Sequence, residues 1–187
     1  DCLLSRGLGD VYKRQEYRSS MELTLFTHTA MNSTYGESFI VYNPDFQTLK
    51  IHSSYTRQKD GTIVKTPDNA FVEVLPRFAA DAPAYNQLKE MVVVHTGLEL
   101  GATIYLDYSI ITKPGYYPAL DINERLQETS PVKECKVSIS VPEGTPLACG
   151  LYGSPVKAVE ESHDGIKEVH WTPVSYTHLT LPTILLV

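Results

Sequence analysis

Cysteine is scarce, with three in 187 residues, at positions 2, 135 and 149. Three thiols cannot build the disulfide framework of a small secreted domain, and no two of them stand in the CxxC spacing of a zinc or redox site. Of the six histidines, the five outside the chain's two ends, His28, His52, His95, His163 and His170, avoid the HExxH and HxH patterns that aim two imidazoles at one metal. Basic residues are also few: 16 Lys and Arg stand against 22 Asp and Glu, for a formal charge of −6. They are scattered, so no basic patch is available to meet a run of phosphates, which argues against a nucleic-acid partner. No apolar run reaches the roughly 20 residues of a membrane-crossing helix; Leu179–Val187 is too short. The Gly97-Leu98-Glu99-Leu100-Gly101 stretch lacks the strand–loop–helix context of a phosphate loop. The sequence therefore predicts no cofactor and no metal.

What it does contain is alternation with a period of two, the signature of strands with two unlike faces. Met21, Leu23 and Leu25 alternate with Glu22, Thr24 and Phe26. Leu49, Ile51 and Tyr55 are expected on related faces of one strand, and Ile104, Leu106, Tyr108 and Ile110 on one face of the longest. Cys135, Val137, Ile139 and Val141 alternate with Lys136, Ser138 and Ser140. Between these runs stand turn residues: Asn43-Pro44-Asp45, Asp60-Gly61 and Asp164-Gly165. Asp-Gly suits a type I′ hairpin. Residues 86–90 could form one helical turn, and 121–129 fit either a short helix or an edge strand. No segment sustains a 3.6-residue period. The fold class expected is all-β, an antiparallel β-sandwich of about eight to ten strands with little helix.

The two ends read differently from the middle. Asp10–Gln15 back-translates as GATGTGTATAAGAGACAG, which resembles the transposase mosaic end of a sequencing adapter. Val174–Thr183 back-translates as the reverse complement of the opposite adapter. Residues 1–15 and 173–187 are therefore expected to be translated adapter, and residues 16–172 the natural domain. Any signal peptide would lie ahead of Glu16, outside that insert.

Candidate chemistry is thin. Cys149 with His163 or His170 and Asp164 supplies the residue types of a cysteine hydrolase, but a nucleophilic thiol needs an electropositive setting. Cys135 and Cys149 both sit in apolar strand sequence, where a thiol behaves as a small hydrophobe. Glu160 and Glu161 point to opposite faces of a strand and cannot share a substrate. Asn32-Ser33-Thr34 matches a glycosylation acceptor pattern. No catalytic residue is assigned. Tyrosine is plentiful, at 12 residues. Tyr116 and Tyr117, between Gly115 and Pro118, are the candidate ligand-binding pair, able to stack on a sugar or anchor a peptide; the plainer alternative is that they cover a sheet edge.

Several segments stand in a telling order: YNPDFQTLKI, KDGTIVKTPDNAFVEV, ADAPAYNQLKEMVVVHTGLELGATIYLDYSI and SPVKECKVSISVPEGTPL. Their features are the Asp60-Gly61 hairpin, the Asp81–Tyr85 loop, the Gly97–Gly101 turn and Val141–Gly144. Together they resemble the bacterial domain of unknown function 3857, found ahead of transglutaminase-like domains. The resemblance implies an N-terminal, non-catalytic β-sandwich module of a larger exported Gram-negative protein, periplasmic or in the cell envelope. Its partner would be a downstream transglutaminase-like domain, related to papain-like proteases and amidases, which carries the Cys–His–Asp triad. The alternative is an independent glycan- or peptide-binding module of the cell envelope.

Overall fold

The computed structural model describes residues 2–8, 14–82, 84, 87–117, 122–125, 131–152, 156–172 and 183–186. Pro83, Tyr85, Asn86 and Pro118 lie outside them, as do most of 121–129 and 173–187. Fourteen strands are found among these residues. They are β1 (Cys2–Leu8), β2 (Gln15–Thr24), β3 (Glu37–Tyr42), β4 (Gln47–Arg57), β5 (Ile63–Lys65), β6 (Phe71–Val74) and β7 (Lys89–Val94). There follow β8 (Thr103–Thr112), β9 (Asn123–Arg125), β10 (Cys135–Pro142), β11 (Cys149–Tyr152), β12 (Val159–His163), β13 (Ile166–Trp171) and β14 (Thr183–Leu186). Among the described residues helix is limited to short turns, as at Ala30–Thr34, Asp68–Ala70 and Arg77–Ala79. The fold is all-β. Of the two ambiguous segments, Lys89 and Glu90 open a strand rather than close a helical turn, and Asn123–Arg125 is strand.

The chain divides into two compact units, residues 20–111 and residues 1–19 with 112–187. The 20–111 unit holds strands in the order β2–β8–β4–β5 and a second sheet, β3–β7–β6. Ile40, Val93 and Leu106 form its buried centre, with Met21, Leu49, Ile51, Phe71, Met91, Tyr108 and Ile110 packed around them. The alternation in β8 thus puts Ile104, Leu106, Tyr108 and Ile110 on one face, as its sequence requires. Leu25 is fully buried and Phe26, its neighbour, is 80% exposed.

In the other unit, β12–β13–β10 is antiparallel throughout and β1 lies parallel to β10, Cys2 opposite Cys135. The strand that makes this pair parallel comes from residues 1–15, outside the 16–172 segment for which the antiparallel sandwich is expected. β14 runs antiparallel between β11 and β9. Cys135, Val137, Ile139 and Val141 are all buried, packed with Val169 and the single Trp171. Ser138 is buried too, because β10 is covered on more than its apolar side.

Two local expectations need correction. Asp60-Gly61 does close the β4–β5 hairpin, with Tyr55 opposite Lys65 and Arg57 opposite Ile63. The turn is not type I′, however: only Gly61 has positive φ, at 89°. Its N–H donates to Gln58 O at 2.9 Å and Gln58 N–H donates to Thr62 O at 2.8 Å. That is a type I turn followed by a left-handed glycine, the three-residue hairpin loop, with Asp60 Oδ1 accepting from Thr62 N at 2.8 Å. The I′ geometry appears instead at Asp164 (φ 53°) and Gly165 (φ 76°), between His163 and Ile166. Second, β4 changes phase. Thr48, Lys50 and His52 are exposed, then Arg57, while Thr56 is buried. Tyr55 therefore leaves the face of Leu49 and Ile51, and its ring stacks on Tyr105 at 4.8 Å and 22°.

Candidate functional site

Cys149 opens β11, half-buried. Burial pushes its thiol up from the usual range; Glu160 adds to this, and Lys167 only partly opposes it. Among the described residues, no histidine acts on this thiol. Lys167 is instead tied to Glu160 at 2.8 Å, which holds the ammonium above its ordinary range. His163 lies at the β12–β13 hairpin and reaches Glu161, at 3.7 Å in the open. His170 stands on β13 opposite Ser138, its Nδ1 buried without a partner. The residue types of a cysteine hydrolase are present, but the thiol is kept protonated and away from a base. Cys135 is buried in the core.

Two serine–histidine contacts do form, and no spacing motif announces either, because each joins positions 57 apart. Ser38 Oγ lies 2.8 Å from His95 Nε2, and His52 Nε2 lies 2.7 Å from Ser109 Oγ. Strand pairing creates the first: β3 and β7 run antiparallel, and His95 N–H donates to Gly36 O at 3.0 Å just past the end of β7. Distance alone would suit a nucleophile and its base. A working pair also needs a third group that orients the imidazole and stabilises its cation. His95 has none: its Nδ1 is buried without a hydrogen-bond partner, and burial pushes its pKa down from 6.5 to about 4. Such an imidazole draws little proton from a hydroxyl at neutral pH. No carboxylate is paired with His52 among the described residues, and Ser109 is fully buried, out of reach of substrate. Both contacts serve to satisfy polar groups within the fold.

A third constellation joins Tyr42, Glu73 and Lys89. The Tyr42 hydroxyl donates a short hydrogen bond to Glu73, and Lys89 Nζ sits 2.9 Å from the same carboxylate. Burial, then Glu73, raise the Tyr42 phenol to about 12, while Tyr42 and Lys89 hold Glu73 below its usual range. The cluster fixes an edge of the β3–β7–β6 sheet.

Tyr116 and Tyr117 lie in the turn after β8, where Gly115 takes a φ of 80°. Their rings meet at 4.7 Å and tilt by 59°. Tyr116 is half-buried and only Tyr117 is exposed, at 44%. The two rings pack on one another, so they offer one free aromatic face rather than a two-ring platform. Among the described residues, no group of three His, Cys, Asp or Glu side chains could hold a metal, and no helix is long and apolar enough to cross a membrane. Of the glycosylation pattern, Asn32 is exposed in the Ala30–Thr34 turn; the side chains of Ser33 and Thr34 lie outside the described residues.

Comparison with known proteins adds scale to this geometry. No curated protein matches the chain. A crystal structure of a protein named "putative protease" from Parabacteroides distasonis superposes with a TM-score of 0.93 and 82% sequence identity. It covers 99% of this chain, yet the chain covers only 39% of that protein. The family described as a domain of unknown function with solved structure, DUF3857, matches residues 13–175, and the chain belongs to it.

Proposed function

We propose that this chain is a non-catalytic β module of a longer bacterial protein, and that it positions or binds a partner or substrate for a transglutaminase-like cysteine enzyme domain downstream. The observation that carries the reading is the absence, among the described residues, of any nucleophile joined to both a base and an orienting acid. Cys149 meets no imidazole, and His95 meets Ser38 without a third partner. The similarity to a protein named as a protease, of which this chain is 39%, supports placing the chemistry elsewhere in the longer polypeptide. The family resemblance supports a periplasmic or envelope location.

The domain proper is residues 16–172, flanked by adapter-encoded ends. An identity of 82% over nearly the whole chain is close to the share of 187 residues that 16–172 makes up. A near-identical centre with unrelated ends would give that figure, and the family match to 13–175 ends within three residues of each limit.

The test is an assay of the isolated chain on peptide and amide substrates, beside the longer protein. No turnover is expected from the chain. Turnover that Cys149→Ala or Ser38→Ala abolishes would overturn the reading. A second reading, an independent glycan- or peptide-binding module, rests on the exposed Tyr117 ring. Glycan or peptide binding that is lost in Tyr117→Ala would favour it, and binding that survives the change would remove it.

A further inference from the structure

The β3–β7–β6 sheet has an outer face that its own unit leaves uncovered. Its inner face is the one carrying Ile40, Val93, Phe71 and Met91 into the core. Strand alternation sends Phe39, Val92 and Val72 the other way, and the register sets them in one row: Phe39 opposite Val92, and Val92 opposite Val72. The next row is Val41, Glu90 and Val74, and the preceding one is Glu37 and Val94. Phe39 is 58% exposed, Val72 44% and Val74 37%.

An antiparallel sheet with one wet face shows polar residues on it. Here the pattern is reversed. In β6 Glu73 lies on the opposite face, bonded to Tyr42 and Lys89 and still exposed, while Val72 and Val74 face out. In β7 the run Met91-Val92-Val93-Val94 is continuous, as in strands buried on both sides. The exposed aromatic and valines make a contiguous apolar patch of the kind that marks an interaction site. Its flanking charges are of one sign. Glu37 and Glu90 stand on this face, no Lys or Arg does, and neither carboxylate has an ion-pair partner among the described residues.

We infer that this face is the docking surface for the remainder of the parent polypeptide, which presents to it an apolar patch edged by Lys or Arg. The identity of the occupant follows from length: the solved relative, 82% identical here, carries 61% of its chain outside the matched region. Two unpaired carboxylates, Glu37 at the end of the apolar patch and Glu90 between Val41 and Val74 within it, set the sign of what meets them. The inference rests on the reading of this chain as one module of a longer protein.

The experiment is thiol footprinting. Phe39→Cys and Val72→Cys are made, each with Cys149 replaced by Ser, in the full-length parent and in the 187-residue chain, where Cys2 is replaced as well, and labelling is read at the introduced cysteine by peptide mapping. Maleimide labelling is followed natively and in denaturant, where the rates should agree. Native labelling should be at least about tenfold slower in the parent, since the site must open before it reacts. Equal native rates would overturn the docking face. Slow labelling in the isolated chain that depends on its concentration would also overturn it, in favour of a second copy of the chain. Carbene footprinting of the unsubstituted proteins reads the same three strands if a variant fails to fold. Peptide turnover by the isolated chain would break the modular reading and leave the footprint as measured; unchanged labelling would break only the docking face.

Discussion

His95 offers the sharpest test of how this fold handles a buried polar group. It is 5% exposed, its Nε2 contacts Ser38 Oγ at 2.8 Å, and its Nδ1 has no partner. Burial disfavours the cation and lowers the pKa from 6.5 to about 4. The unfolded chain therefore binds a proton at a pH where the native chain does not. Stability is fully present above the unfolded value and is lost as pH falls from about 6.5 towards 4, below which both states are protonated. A shift of that size corresponds to about 3 kcal/mol in total, and to about 2 kcal/mol between pH 7 and pH 5. That is a large part of the 5–15 kcal/mol typical of a domain. Urea unfolding at pH 5, 6 and 7 measures it, with His95→Gln as the comparison, since a glutamine cannot titrate. Between pH 7 and 5 the wild type should lose about 2 kcal/mol more than the variant. The difference between the two cancels every other titrating group. Equal pH slopes, or an NMR titration in which every histidine has a pKa above 5.5, would refute the account.

Three further outcomes follow from particular residues. Gly97 has a φ of 72°, and a Cβ there would meet Val64 at 2.9 Å, whereas Gly165 at φ 76° has open space around it. Gly97→Ala should cost about 2–3 kcal/mol and Gly165→Ala about 1, by urea denaturation; equal costs would mean that Val64 yields freely. Cys149, its thiol pushed up by burial and Glu160, should be alkylated at pH 7.5 at least about tenfold more slowly than free cysteine, and Glu160→Gln should speed it. Mass spectrometry of the protein from its native host should return peptides reading through Glu16 and Thr172 into sequences unlike residues 10–15 and 174–183. Recovery of the present ends from native protein would remove the adapter reading.

Much of the fold was legible in local pattern. The β10 alternation of Cys135, Val137, Ile139 and Val141 named four buried residues, and turn residues marked both Asp-Gly hairpins. These succeed because a period of two and a positive φ are properties of a few adjacent residues. The finer geometry was less legible. Asp60-Gly61 and Asp164-Gly165 read alike, yet only the second takes positive φ at both residues, since the length of the loop between paired strands decides the turn.

The sequence by itself determined that this chain builds strands, where most of them lie, and that Cys135 and Cys149 sit in apolar strand segments. Tertiary structure decided which strands became neighbours, and with that everything that spans long separations: Ser38 against His95, Tyr55 turned onto Tyr105, and Phe39, Val92 and Val72 aligned on an open face. The reason is physical. Alternation says that a side chain leaves one side of a strand or the other, but pairing and packing alone settle what it meets there, whether core, hydrogen-bond partner or water.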